Sequence, residues 1–186
     1  MGTMDHMIIV EARRRAMAQA QRTAALQSYA YGLSRSALEG GLSDAESFAR
    51  IVDYAGLLVS HLGPLPSAPE DMAAYVMLED LRRVLIGDGF SRSHRNHGEF
   101  ALRFGAFGDS GFRPDFQDGG NQVQHAMAGI YFGYHYGTGA ARRLMTWQDD
   151  GEADRRLYDA TFPIGAAITD ANFRNLAGTI RRLLLA

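Results

Sequence analysis

The sequence predicts a mainly α fold: a single-domain bundle of about six or seven helices, with a Gly-rich loop or small β-hairpin near residues 104–120. Three observations carry that expectation. Apolar residues recur at helical spacing along most of the chain, helix-start signals stand in front of several of those runs, and strand-like alternation is confined to Phe100–Phe116. With 186 residues, 46% hydrophobic and 22% charged, the chain is long and apolar enough to bury one substantial core.

Residues 1–10 are expected to be a disordered or cloning-derived N-terminus, and residues 11–186 a single helical domain. Glu11–Leu33 is rich in strong helix formers, with Ala16, Ala20, Ala24 and Tyr31 on one side and arginines on the other. Ser43 and Glu46 form a capping-box pair ahead of Phe48, Ile51, Val52, Ala55, Leu58 and Val59, which predicts a second helix to about His61. Gly63–Pro69 reads as a stiff connector. Its last proline suits the first turn of a third helix running to about Ile86, with Glu70 and Asp71 at its positive end.

Gly87-Asp88-Gly89 divides this scaffold half, residues 11–86, from a compositionally different half, residues 87–186, which is the candidate functional part. Helices are expected there from about Asn121 to Tyr136, from Ala140 to Trp147, and from Thr169 or Asp170 to Leu185. Thr169 and Asp170 serve as caps for the last, and the acidic run Trp147–Asp154 reads as a solvated turn between helices.

The segment that concentrates chemistry is Asp109–Gly120 with the helix that follows. The loop supplies carboxylates at Asp109, Asp115 and Asp118, the guanidinium of Arg113, and flexible glycines. In the following helix Asn121, His125, Gly129 and Gly133 recur every four residues, with Gly137 continuing the row, so they share a slowly drifting face. Each glycine weakens a helix by roughly 1 kcal/mol against alanine, which predicts that a neighbouring helix or a flat ligand uses the close approach. A carboxylate near His125 would fix its tautomer and make it a usable general base. Asn121 and Tyr131 flank it as candidate substrate contacts.

His94 and His97 stand three apart with Glu99 two further on. The segment lacks the His-Glu-x-x-His pattern of helical zinc sites, so surface histidines are expected and no metal ligand set is assigned, with metal-dependent hydrolysis through His94, His97 and His125 as a third alternative. No cofactor signature is present, and none is expected. Glu99 sits beside Phe100 and near Phe104, where partial desolvation would help a carboxyl keep its proton and act as an acid. An aspartate of the loop, Asp109, Asp115 or Asp118, would then be the second carboxylate of a glycoside-hydrolase pair, with Arg113 holding substrate.

That order of parts, a glutamate, a Gly-rich hairpin and then a helical bundle, resembles the layout of lysozyme-type glycosidases over the second half of the chain. The resemblance implies a hydrolase acting on a polysaccharide such as peptidoglycan. Phe107-Gly108-Asp109-Ser110 resembles the nucleophile block of GDSL-type hydrolases, and Gly108-Asp109-Ser110-Gly111 the serine block of trypsin-like proteases. No histidine follows His135 to complete the first, and the helical pattern cannot build the paired barrels of the second, so Ser110 reads as a turn residue. The rival expectation is a non-enzymatic helical module that binds a partner protein or a flat apolar ligand along Gly129, Gly133 and Gly137, lined by Tyr131, Phe132, Tyr134 and Tyr136.

Other classes are disfavoured. The net charge of −2 gives no positive field to attract nucleic acid, although every basic side chain is arginine. Without cysteine, disulfides and thiolate chemistry are excluded. The charge-free run Gly119–Ala141 carries too many amides, glycines and histidines for a membrane span, and with no leader signature a cytoplasmic location is the default.

Overall fold

The computed structural model of the protein describes residues 3–62, 73–87, 102, 106–145 and 151–186, without the side chains of 3–9, 11, 12, 15 and 62. Among them are six α-helices: α1 (Thr3–Leu38), α2 (Asp44–Leu62), α3 (Ala73–Leu85), α4 (Gln122–Met145), α5 (Glu152–Ala166) and α6 (Leu176–Leu184). The described residues contain no strand. Their one β-type contact is an isolated antiparallel bridge between Phe112 and Leu185, so the Gly-rich segment is a loop rather than a hairpin. None of these helices is long and apolar enough to cross a membrane.

α1 extends beyond the expected span at both ends. It stops at Gly40, whose φ of +77° suits glycine, with Gly40 N donating to Ala37 O and Gly41 N to Ser36 O. This pattern satisfies the last carbonyls of a helix. Ser43 caps α2 by accepting from Glu46 N at 3.2 Å. The Glu46 carboxylate turns outward instead, to Arg181 at 3.0 Å and Arg50 at 3.1 Å, and ties α6 to α2. Hydrogen bonding to Arg181 holds that carboxyl below its ordinary range, against a smaller opposing effect of burial.

Phe48, Ile51, Val52, Ala55 and Val59 bury one broad side of α2 at the centre of the scaffold, against Leu26 and Ala30 of α1, Met77, Leu78 and Leu81 of α3, and Ile180 and Leu184 of α6. The α1–α3 contact also contains a buried ion pair, Arg22 Nε to Asp80 Oδ2 at 2.7 Å, with Thr23 Oγ1 donating to Asp80 Oδ1 at 3.2 Å. Burial pushes the Asp80 carboxyl up, and the Arg22 hydrogen bond pulls it back.

Two expectations about helix ends are corrected. Asp170 does not cap the last helix; its Oδ1 accepts from Ala74 N at 2.7 Å and caps α3 from far along the chain. A 3-10 turn at Phe173–Asn175 precedes α6, which begins only at Leu176. In the other direction, the acidic run expected to be a solvated turn opens α5 at Glu152, and Asp154 is buried there.

The helices of the second half are organised by glycine. Gly137, at φ 70° and ψ 162°, lies in a region open only to glycine and turns the chain inside α4. Both segments of α4 then lie along α5: Gly129 and Gly133 of the first meet Thr161 and Phe162, and Arg142 of the second pairs with Asp159 at 2.8 Å. A Cβ on Gly133 would stand 2.2 Å from Phe162 O, and one on Gly165 would stand 2.0 Å from Ile130 O. The two backbones therefore touch. The face of Gly129 and Gly133 is filled by α5, so it offers no groove to a ligand.

Candidate functional site

The contacts 125 to 158, 129 to 161 and 133 to 162 run in one direction, so the first segment of α4 and α5 are parallel and present their N-terminal ends together. Each end carries unsatisfied backbone N–H groups and a partial positive charge. Polar side chains collect at this mouth.

His125 lies one turn inside α4, with its side chain 26% exposed. Its Nδ1 is 2.7 Å from the Tyr158 hydroxyl, and the two rings meet edge to face. Its Nε2 faces Asp154 Oδ1 at 3.8 Å. The Asp154 side chain is only 9% exposed, and its Oδ1 accepts no hydrogen bond. A gap of this size between two polar atoms is one that a water or a substrate hydroxyl can bridge. The imidazole is thus oriented by Tyr158 from one side and faces a carboxylate on the other.

The loop wraps the same end. Asp118 Oδ1 accepts from Gly120 N at 2.8 Å and from Gln122 Nε2 at 2.7 Å, while its Oδ2 lies 3.5 Å from where a Cβ on Gly151 would be. Gln122 is fully buried, and having donated to Asp118 it leaves its Oε1 without a donor. Asn121 caps α4, its Oδ1 accepting from Gln124 N at 3.1 Å.

The remaining loop groups are engaged in holding the loop. Asp109 Oδ2 accepts from Gly119 N at 2.7 Å. Asp115 is exposed in the 3-10 turn Pro114–Phe116 and stands 3.7 Å from Arg156. Arg113 reaches the carbonyls of Arg182 and Leu185, at 3.0 and 3.4 Å, and so closes the C-terminal end of α6. Ser110 is a hinge pin: its Oγ donates to Asp44 Oδ2 at 2.6 Å and accepts from Asp44 N at 2.9 Å. Of the predicted residues, the structure brings Asn121, His125 and Asp118 to one end of the α4–α5 pair and sends Arg113 to α6. Glu99, with His94 and His97, lies outside the described residues.

Tyr131 belongs to a second cluster. Its hydroxyl donates to Glu79 of α3 in a short hydrogen bond, Arg82 pairs with the same carboxylate at 3.1 Å, and His135 Nε2 lies 4.0 Å from it. Burial, reinforced by the Glu79 hydrogen bond, holds the Tyr131 phenol well above the ordinary range, and burial pushes the His135 imidazole down. These polar groups satisfy one another and join α3 to α4.

Asp154, Tyr158 and Gln122 were not singled out by sequence reasoning. A signal was present: Asp154, Leu157, Tyr158, Thr161, Phe162 and Gly165 follow the spacing of one helical face, and all are buried. Among the described residues no group of three His, Asp or Glu side chains is placed to hold a metal ion. No known family model, curated protein or solved structure matches the chain.

Proposed function

We propose that this chain is a hydrolase acting on a polysaccharide such as peptidoglycan, with His125 and Asp154 handling the attacking water. One observation carries the reading: a half-buried imidazole oriented by Tyr158, facing a buried carboxylate oxygen that has no donor of its own. With Nδ1–H donated to the Tyr158 oxygen, Nε2 presents a lone pair toward the gap. A water held between Nε2 and Asp154 Oδ1 gives its proton to Nε2 as its oxygen bonds to the anomeric carbon. The Asp154 carboxylate stabilises the imidazolium that forms, as a carboxylate beside a catalytic histidine does. The glycosidic bond breaks on the other side of that carbon, and the leaving oxygen needs a proton. Glu99 is proposed as its source.

The roles of Asp109 and Asp115 pass to Asp154 in this scheme, because their oxygens serve the loop and Arg156. Asp118 stays at the edge of the site as a substrate contact. The test is reducing-end release from peptidoglycan and from chitin-type polymer by the wild type, His125→Gln and Glu99→Gln, with the fold monitored by circular dichroism. Release by the wild type, with a loss of about 10²- to 10⁴-fold in each variant, supports the reading. A wild type that releases nothing, or a His125→Gln protein that keeps full rate, overturns it in favour of a non-catalytic binding module.

A further inference from the structure

Two buried acceptors stand at the joined N-terminal ends of α4 and α5 with nothing among the described residues to donate to them: Gln122 Oε1 and Asp154 Oδ1. An acceptor removed from water and left unpaired costs about 1–3 kcal/mol, so two of them at neighbouring helix ends call for a donor. The residues around them form a closed circuit. Gln122 is tied to Asp118, Asp118 abuts Gly151, Gly151 lies one turn before Asp154, Asp154 faces His125, and His125 lies one turn after Gln122. Asp118 and Gly151 are exposed and the His125 side chain is 26% exposed, so the circuit meets solvent at these residues.

We propose that this circuit is a binding site for the hydroxyl or acetamido groups of a neutral sugar, with Gln122 Oε1 and Asp154 Oδ1 as its acceptors. This deepens the hydrolase reading and rests on it for the identity of the reaction. Charge decides between donor classes. The charge of each carboxylate is already offset: Asp118 takes Gly120 N and Gln122 Nε2 at the start of α4, and Asp154 sits in the first turn of α5, at the positive end of that helix. An ammonium group would have to lie against two helix N-termini, each worth roughly half a positive charge. A sugar hydroxyl or amide N–H supplies the missing hydrogens without bringing that charge. Gln122 then becomes a specificity-determining residue, since its amide donates inward to Asp118 and has only its oxygen to offer a ligand.

The experiment compares two probes of equal length on the full chain by calorimetry: the tetramer of N-acetylglucosamine, which is neutral, and the tetramer of glucosamine, which is cationic. The expected result is at least tenfold tighter binding of the neutral probe, and at least fivefold weaker binding of it by Gln122→Met. Titration of the wild type followed through the Gln122 side-chain amide resonances checks the same point without a substitution. Those resonances are expected to shift with the neutral probe. Equal or tighter binding of the cationic tetramer, an unmoved Gln122 amide, or no binding of either probe overturns the inference and leaves internal water as the donor. Binding through Gln122 without cleavage of any polymer keeps the sugar site and removes the hydrolase. Cleavage that is indifferent to Gln122 keeps the hydrolase and removes this site.

Discussion

Asp154 Oδ1, which accepts no hydrogen bond among the described residues, stands 3.8 Å from His125 Nε2 across the contact between α5 and α4. If the two groups handle one proton together, they act as a unit and their losses do not add. His125→Gln and Asp154→Asn are each expected to lower kcat by about 10²- to 10⁴-fold, and the double variant to be little worse than the poorer single one. A cycle of kcat values for the four proteins measures this. Fully additive losses would mean that the two groups work independently.

Ser110 makes the opposite kind of prediction. Its hydroxyl both donates to and accepts from Asp44, fastening the Gly-rich loop to the first turn of α2. Ser110→Ala leaves the backbone N–H of residue 110 on Asp44 Oδ2 but removes the hydroxyl donor and leaves Asp44 N without its acceptor, at a cost of about 1–3 kcal/mol. At roughly 2–4 °C per kcal/mol for a chain of this size, melting should fall by several degrees. The kcat should be unchanged, because the Ser110 hydroxyl is engaged by Asp44. A hydroxyl that acts as nucleophile would instead lose the rate and keep the melting temperature.

Gly133 separates close helix contact from mere helical propensity. Alanine there would place its Cβ 2.2 Å from Phe162 O, a backbone atom that cannot swing aside. The helices must part, and overpacking of this sort costs about 1–3 kcal/mol or more. Gly178, in the middle of α6 with nothing within 4 Å of its notional Cβ, is the control. Gly178→Ala should raise stability by up to about 1 kcal/mol. Denaturant unfolding of the two variants should move in opposite directions, and a Gly133→Ala protein as stable as the wild type would refute the packing account.

These cases mark what is legible in a sequence of this kind. The row Asn121, His125, Gly129 and Gly133 announces a close neighbour because bare helical faces are otherwise unfavourable, and the break at Gly137 is visible for the same reason. The neighbour itself is hidden. In α5 the buried stripe begins with an aspartate, includes Thr161 and Gly165, and is interrupted by Pro163, so hydrophobicity alone does not draw it. The loop carboxylates looked equivalent as letters. Only the fold decides that Asp109 serves Gly119, that Asp118 serves Gln122, and that an aspartate from the supposed turn meets the histidine. Asp170 shows the same limit: its capping chemistry was evident, but the helix it caps lies far away in sequence.

The Glu79 cluster contributes to the dependence of stability on pH at both ends of the range. His135 has its folded pKa lowered from the ordinary 6.5, first by burial and further by Arg82, with Glu79 opposing. A depressed base binds fewer protons folded than unfolded, so its contribution is complete above about pH 6.5 and is lost as pH falls through the folded value. Tyr131 has its pKa raised from 10.0, first by burial and then by its hydrogen bond to Glu79. Its contribution is complete below about pH 10 and is lost as pH rises toward the folded value. Unfolding free energy measured with urea across pH should therefore show a plateau that falls away on both sides. In His135→Phe the decline just below pH 6.5 should flatten while the alkaline limb stays. In Tyr131→Phe the plateau should drop, since Glu79 loses one of its donors and keeps Arg82, and the alkaline limb should flatten. Tyr75 and Tyr134, which pack on the His135 ring, are unchanged in both proteins, so an acid limb that persists in His135→Phe would assign it to another group.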